Sequence, residues 1–208
     1  MQTTKRGLLV VISGPSATGK GTICARLKEE LPIRYSISAT TRAPRGNEVH
    51  GKEYFFLLKE EFEAKIAAGG FLEWAKVYEN YYGTPRDFVT ETLDSGLDCI
   101  LEIDVQGALK VKETFPEAVL VFVLPPSLAE LRNRIQNRGT ETAEQIEERM
   151  RWVIKEIREI NRYDYVVVND VLEVAVEDIK ALLRADKLKI ARNLALEDKF
   201  IKEYEGSF

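Results

Sequence analysis

Residues 8–22 read LLVVISGPSATGKGT, and this stretch decides the fold class. Its first five residues, 8–12, are all apolar, which is typical of a strand buried on both faces of a parallel sheet. Gly14 and Gly19 follow, separated by four residues, and Lys20 comes directly after them. In a phosphate-binding loop of this pattern, backbone N–H groups surround a phosphate and the lysine adds a point charge. The stretch therefore predicts a nucleoside triphosphate site between a strand and a helix.

One position in this loop departs from the usual pattern. The residue after Lys20, where a Ser or Thr hydroxyl would contact magnesium, is Gly21, and the hydroxyl comes one residue later in Thr22. The alternative is a glycine-rich turn that binds nothing, but strand, loop and helix signals in register favour a triphosphate. The loop residues expected to contact it are Gly14, Pro15, Ser16, Ala17, Thr18, Gly19, Lys20, Gly21 and Thr22.

Length and composition restrict the class of protein. The 208 residues can form a sizeable core, and the content of 45% hydrophobic and 31% charged residues is typical of a soluble globular protein. The net charge of −4 argues against a broad surface for nucleic acid or anionic membrane. No apolar run approaches the roughly 20 residues of a membrane span. Cys24 and Cys99 lie among apolar residues and His50 is the single histidine, so we expect a cytoplasmic protein with reduced thiols and without a zinc site.

The rest of the chain predicts an α/β fold. After the loop, Ile23, Leu27 and Leu31 form one helical stripe that ends at Pro32. Strands alternating with helices predict a parallel sheet. Buried strands are expected at 99–104, 118–124 and 165–169, and helices at 86–95, at 128–137, after a cap at Thr142, and at 172–183.

Residues 37–88 differ from this alternation. Tyr, Phe, Trp and Thr are frequent here, and short strands are expected at 53–57 and 71–77 around a helix at 60–68. We therefore expect a small, mostly β insertion in the α/β core. The polar stretch 33–51 shows no clear period, and from about Lys187 the chain is charged and helix-prone.

Arginines form the second informative pattern. Phosphoryl transfer depends mostly on positioning and on neutralising the charge of the moving group, and the planar guanidinium grips phosphate oxygens in pairs. Asp104 ends an apolar run, where phosphate-loop enzymes place carboxylates that organise magnesium. Alternatively, these arginines are solvated and paired to glutamates, and Asp104 is a solvated strand-end residue. The residues alone predict a phosphotransferase or NTPase with an arginine-rich second site, formed by Arg42, Arg45, Arg132, Arg134, Arg138 and Arg149.

At this point the chain resembles the guanylate kinase family over nearly its whole length. The matching segments are GPSATGKGT (14–22), SISATTRAPRGNEVHGKEYFF (36–56), FLEWAKVYENYYGTP (71–85), CILEIDVQG (99–107), RIQNRGTETAEQIEERM (134–150) and VVVND (166–170). The resemblance implies transfer of the γ-phosphoryl group of ATP to GMP, with Mg²⁺. It leaves open whether dGMP is used and whether the protein is a monomer or a homo-oligomer.

The resemblance also implies a role for each candidate residue. The GMP phosphate would be held by Arg42, Arg45, Tyr54 and Tyr82, and the guanine would be read by Ser38, Glu73 and Thr84. A carboxylate suits guanine because the base presents two adjacent N–H donors, which adenine lacks. Glu102 and Asp104 would lie on the GMP and magnesium side, and Asn169 near the adenine. Lys20, Arg42, Asp104 and the lid arginines Arg134, Arg138 and Arg149 would be catalytic. Thr22 would contact a phosphate and hold Mg²⁺ through water.

The resemblance divides the chain into functional parts. A kinase domain would span 5–187, with its core at 5–36 and 89–187, the GMP-binding insertion at 37–88 and the lid at about 134–152. Residues 188–208 would form a helical tail. Two alternatives are a related scaffold module that binds phosphopeptides without catalysis and a kinase for a phosphorylated ribose. The intact loop argues against the first, and Ser38, Glu73 and the TTRAPR segment argue against the second.

Overall fold

The computed structural model describes residues 6–77, 79–137 and 142–206. Within them, the elements of the first half are β1 (Leu9–Ser13), α1 (Lys20–Glu30), β2 (Ile33–Tyr35), β3 (Ala39–Thr40), β4 (Phe55–Phe56), α2 (Lys59–Ala67), β5 (Phe71–Val77), β6 (Asn80–Pro85) and α3 (Arg86–Asp94). Those of the second half are β7 (Asp98–Glu102), α4 (Val105–Thr114), β8 (Val119–Leu124), α5 (Leu128–Gln136), α6 (Ala143–Ile157), β9 (Tyr165–Val168), α7 (Leu172–Lys187) and α8 (Leu194–Glu205).

The core is a five-stranded parallel sheet in the order β2-β7-β1-β8-β9, which confirms the predicted fold class. The central strand β1 is buried over its whole length because helices cover both faces of the sheet. Val10 and Ile12 point into a cluster with α1 and α7, whereas Leu9 and Val11 point into a second cluster with α3 and α4. This alternation explains why the strand is a continuous apolar run.

A second, four-stranded sheet is formed by the segment between β2 and α3, in the order β4-β3-β6-β5. Its long hairpin of β5 and β6 is antiparallel. Phe62 of α2 is fully buried against the sheet and stacks on Phe71 and Tyr81, with ring centroids 4.3 and 5.3 Å apart. The helices α3 and α4 pack against β5 and so connect the second sheet to the core.

The sequence pattern predicts neither the strands β2, β3 and β6 nor the helix α4. The short strand β2 lies in the polar stretch 33–51, and it pairs with β7 over three residues. A strand this short has too few residues for a readable period. The helix α4 follows directly after β7, which ends at Glu102, so the strand predicted at 99–104 is two residues too long. The Asp104 side chain instead caps α4 by accepting a hydrogen bond from the Gly107 N–H at 2.7 Å.

The remaining segments lie around this core. The helices α5 and α6 pack on each other through Leu131, Ile135, Ile146, Met150 and Val153. The helix α8 confirms the predicted helix-prone tail, and none of its residues is buried. Among the described residues, no helix is long and apolar enough to cross a membrane.

Candidate active site

The loop between β1 and α1 is built from unusual backbone conformations. Gly14, Ala17 and Gly19 have positive φ angles of 129°, 65° and 89°. A Cβ on Gly14 would lie 2.5 Å from the Val123 carbonyl oxygen, and one on Gly19 would lie 2.2 Å from the Asn169 Nδ2. Both positions therefore require glycine for space as well as for conformation. The loop turns directly into the N-terminus of α1, where backbone N–H groups and the helix dipole favour an anion.

The ammonium group of Lys20 lies over this loop. Its Nζ donates hydrogen bonds to the carbonyl oxygens of Gly14 and Pro15, each at 2.7 Å. Burial lowers the pKa of Lys20, and the nearby carboxylates oppose that shift. The carboxylates belong to Glu102, Glu156 and Asp104. The site thus combines a half-buried cation, helix-terminal N–H groups and an acidic rim, which suits a phosphate chain that arrives with a metal ion.

A cleft of about 270 Å³ opens beside Lys20, between the two sheets. It brings together predicted residues of both substrate sides: Ser16, Lys20, Ser38, Tyr54, Glu73, Tyr82, Glu102 and Asp104 all line it. Arg42 and Arg45 do not line it, although Arg42 packs against Tyr54, with its guanidinium carbon 5.5 Å from the ring centroid. Residues of loop 14–22 and of the second sheet therefore line one cavity.

The residues predicted to read the base include a buried carboxyl held by a hydroxyl. Glu73 and Thr84 face each other across β5 and β6, and Thr84 Oγ1 donates a hydrogen bond to Glu73 Oε1 at 2.8 Å. Glu73 is only 8% exposed, and burial raises its pKa to about 7. Gly107 of α4 lies against the other carboxyl oxygen, since a Cβ there would be 3.3 Å from Glu73 Oε2. Glu73 is thus fixed at the cleft wall.

The residues predicted to hold the GMP phosphate form an aromatic and cationic group. The Tyr54 and Tyr82 rings meet edge to face at 6.0 Å, and burial raises the pKa of Tyr54. Arg42 lies over Tyr54 and within 5.8 Å of the Phe56 ring centroid. Arg45 is exposed, and its backbone N–H donates to Glu48. The guanidinium of Arg42 is therefore held beside the two tyrosine residues that line the cleft.

Glu102 lies between the loop and the acceptor side. Its Oε2 accepts a hydrogen bond from the Tyr35 hydroxyl at 3.1 Å, and this carboxylate, together with burial, raises the pKa of Tyr35. A Cβ on Gly21 would lie 3.5 and 3.7 Å from the two Glu102 carboxyl oxygens, an ordinary contact distance. Glycine at this position thus leaves the carboxylate room against the first turn of α1, while Thr22 is exposed.

The helical side of the loop contains the remaining predicted residues. Arg134 Nε donates to Glu130 at 2.8 Å, and its Nη2 lies 3.4 Å from the Asn169 carbonyl oxygen. The Asn169 side chain is buried and donates to the Thr18 carbonyl oxygen at 2.8 Å, so it braces the loop. Arg149 is half-buried on α6. Arg138 lies outside the described residues, and Arg132 forms an ion pair with Glu147, as the surface alternative expected.

Three further residues at the site were not predicted. Glu156 of α6 interacts with the Lys20 ammonium, and burial raises the Glu156 pKa. The Tyr163 hydroxyl donates to Ser13 Oγ at 3.1 Å at the start of the loop, and burial raises the pKa of Tyr163. Tyr35 holds Glu102. Each of these residues lies far in sequence from its partner, so the sequence does not show the contact. For Glu156 alone, the helical period places the residue on the same face of α6 as Arg149 and could have indicated a place at the site.

Comparison with known proteins decides the family. The family model described as guanylate kinase matches residues 6–186 of this chain. The chain belongs to the guanylate kinase family. It is accordingly an enzyme that transfers a phosphoryl group from ATP to GMP.

Similar proteins cover essentially the whole chain. The guanylate kinase of Caldanaerobacter subterraneus subsp. tengcongensis is 53% identical over 208 residues, covering 100% of both chains. That of Halalkalibacterium halodurans is 57% identical, covering 90% of this chain and 93% of its own. The crystal structure of guanylate kinase from Anaplasma phagocytophilum is 35% identical with a TM-score of 0.77, covering 95% of this chain and 97% of that one. The family assignment therefore extends over both sheets and the helices around them.

Proposed function

We propose that the cleft binds GMP against the second sheet while loop 14–22 holds the phosphates of ATP, so that the γ-phosphoryl group passes directly between them. The observation that carries this proposal is that buried Glu73 and the Lys20 ammonium line the same cleft of about 270 Å³. A base-recognising carboxyl and a phosphate-binding cation in the same cleft suit one mononucleotide next to one triphosphate.

Guanine recognition is assigned to Glu73, Ser38 and Thr84. Thr84 donates one hydrogen bond to one carboxyl oxygen of Glu73. Each oxygen therefore keeps at least one lone pair that can accept from the ring N–H or the exocyclic amine of guanine. Adenine presents no such pair of donors, so a buried carboxyl left without partners would disfavour AMP. Because these proposed contacts involve the base and not the ribose, we propose that dGMP is a substrate as well.

Phosphate binding and transfer are assigned to the cations. Lys20 would turn from the Gly14 and Pro15 carbonyl oxygens onto the outer phosphates of ATP. Arg42 and Arg45, with Tyr54 and Tyr82, would hold the phosphate of GMP. The proposed lid arginines would add positive charge and exclude water from the transferring group, which limits ATP hydrolysis. They are Arg134, Arg138 and Arg149, with Asn169 near the adenine.

Magnesium is the proposed cofactor, and the donor set fits it. Glu102, Asp104 and Glu156 surround the loop cation, while no group of three or more His, Cys, Asp or Glu side chains in the described part of the chain forms a complete metal cage. Mg²⁺ characteristically keeps several waters and binds through few carboxylates plus substrate phosphates. The carboxylates and Thr22 would hold the water ligands. When bound, the ion would neutralise charge on the β- and γ-phosphates.

The division into parts stays a proposal. We assign the core to 5–36 and 89–187, the GMP-binding part to 37–88, the lid to about 134–152 and the tail to 188–208. The second sheet supports the GMP-binding part, and contact of Ala17 with the α5 and α6 cluster supports a lid next to the loop. Free, buried Cys24 and Cys99 support the proposed cytoplasmic location, which subcellular fractionation would test.

A coupled assay with ATP and each of GMP, dGMP, AMP, UMP and dTMP tests the proposed substrate assignment. We expect rapid ADP formation with GMP and dGMP, and rates lower by at least about 10³-fold with AMP and the pyrimidine nucleotides. The absence of GDP at saturating GMP would refute the assignment. Omission of Mg²⁺ with added chelator should abolish turnover, and unchanged turnover would remove the proposed cofactor.

A further inference from the structure

The Glu48 carboxylate collects three hydrogen bonds on the loop between β3 and β4. Its two oxygens accept from the two terminal nitrogens of Arg42, Nη1 and Nη2, each at 2.9 Å. One of the oxygens also accepts from the backbone N–H of Arg45 at 2.7 Å. The Glu48 N–H in turn donates to the Arg45 carbonyl oxygen at 3.0 Å, which closes a tight turn. Glu48 is thus joined to both arginines that are proposed to hold the GMP phosphate.

The Arg42 guanidinium is fixed on several sides. Its side chain is 10% exposed, and Nη1 also donates to the Ala43 carbonyl oxygen at 2.6 Å. The group lies over the rings of Tyr54 and Phe56. Hydrogen bonding to Glu48, and more weakly to Tyr82, raises the pKa of Arg42. A long, flexible side chain therefore has one orientation, beside two tyrosines that line the cleft.

A guanidinium has two edges that can each grip a pair of oxygens, one formed by Nη1 and Nη2 and the other by Nε and Nη2. Glu48 occupies the first edge. The second edge is the one available to a phosphate while the ion pair stays intact. The carboxylate is itself held by the Arg45 N–H within its own turn, and Glu48 does not line the cleft. This geometry favours a brace over a carboxylate that competes for the phosphate position.

We propose that Glu48 is a positioning residue for the acceptor phosphate: it holds Arg42 by the Nη1–Nη2 edge and thereby presents the Nε edge to the phosphate of GMP. The proposal rests on the proposed role of Arg42 in phosphate binding. It predicts that, among ligands of the GMP position, loss of the carboxylate weakens only those that carry a phosphate, because the proposed base-reading residues Glu73 and Thr84 lie on β5 and β6.

The test is Glu48→Gln, which keeps the size of the side chain but removes its charge and one acceptor. We expect KM for GMP to rise about tenfold, with kcat and KM for ATP changed less than about twofold. Guanosine, which has the base but no phosphate, should inhibit both enzymes with the same Ki. Glu53→Gln is the matched control, since Glu53 braces the same loop through the Val49 N–H at 2.7 Å.

Three outcomes would overturn the inference. A lower KM for GMP would mean that Glu48 competes with the phosphate. An equal loss of GMP and guanosine binding would mean that Glu48 only maintains the loop. An effect no larger than that of Glu53→Gln would mean that the ion pair is not specific to the phosphate.

Arg42→Lys separates this inference from the function on which it rests. It keeps the charge but loses the forked geometry, so KM for GMP should rise, and Glu48→Gln should add less than its own factor in that background. An unchanged KM in Arg42→Lys alone would refute the proposed role of Arg42. A raised KM in Arg42→Lys with an unchanged one in Glu48→Gln would refute only the role of Glu48.

Discussion

The two sides of the cleft are built from different parts of the chain. The proposed ATP side is mostly backbone: a loop with three positive φ angles leads into the N-terminus of α1. The proposed GMP side is mostly side chain: Glu73, Thr84, Tyr54 and Tyr82 come from three strand regions, and they pair as Glu73 with Thr84 and Tyr54 with Tyr82. A site formed by backbone groups depends on which positions are glycine, whereas a site formed by side chains depends on particular charges and hydroxyl groups. Substitutions on the two sides should therefore have different effects on kinetic constants and stability.

Lys20→Ala should have the largest effect, because Lys20 is the one side chain of the loop that supplies a full charge to the outer phosphates. We expect kcat to fall about 10³-fold, with the Kd for GMP changed less than about threefold. Steady-state kinetics and calorimetric GMP titration measure the two quantities. Lys28→Ala, in the last turn of α1, is the control. A near-normal kcat would contradict the assigned role.

Glu73→Gln should affect the other side of the cleft more selectively. Gln offers one acceptor oxygen where guanine needs two, so KM for GMP should rise about 10²-fold while KM for ATP changes less than about twofold. Glu60→Gln, on the exposed face of α2, is the matched control. Equal effects on both substrates would show that the two sides are not independent.

The two sides also differ in how much of them the sequence predicts. Residues 8–22 predict the strand, loop and helix because each depends on neighbours along the chain, and Gly14 and Gly19 have positive φ angles as the pattern requires. The pairing of Glu73 with Thr84 follows from the register of β5 and β6, which the residues alone do not determine. Resemblance to the family supplied those residues instead.

Residues that act through contacts distant in sequence cannot be predicted from the sequence either, because those contacts also depend on the fold. Tyr163 reaches Ser13 across 150 positions, and Glu48 resembles any exposed loop carboxylate until the fold of its turn is known. The sequence does not reveal helix α4, although Asp104 is a good cap, because Asp104 also follows an apolar run and so resembles the end of a strand. Local backbone rules thus predict the ATP side, and tertiary packing determines the GMP side.

The pH dependence of GMP binding should reflect the buried carboxyl. Burial raises the pKa of Glu73 to about 7, and guanine requires the ionised form. Below about pH 7, KM for GMP should therefore rise by about tenfold per pH unit, whereas KM for ATP should follow a flatter profile. Measurement of both constants from about pH 5.5 to about pH 8.5 tests this. Glu73→Gln should lack the GMP-specific rise, and a rise retained in that variant would assign it to another group.

The same shift has a defined sign for stability. The ordinary pKa of the carboxyl, 4.5, applies in the unfolded chain, so between that value and about 7 the native state binds more protons. Ionisation of Glu73 should therefore lower the free energy of unfolding as the pH rises through this window. The free energy of unfolding of Glu73→Gln minus that of wild type should therefore increase by on the order of 2 kcal/mol from about pH 5 to about pH 8. Urea unfolding at the two pH values measures the difference.

The smallest effect contrasts two glycines of the ATP side. Gly19→Ala should destabilise the protein by about 1–3 kcal/mol, because its Cβ would meet the Asn169 side chain at 2.2 Å and its φ of 89° disfavours alanine. Gly21→Ala should change the free energy of unfolding by less than about 0.5 kcal/mol, since its Cβ would make ordinary contacts of 3.5 and 3.7 Å with Glu102. Urea unfolding of both variants tests whether glycine is required only where the loop backbone turns. A destabilisation of similar size in both would mean that Glu102 has no room to move, and that this carboxylate belongs to the rigid ATP side.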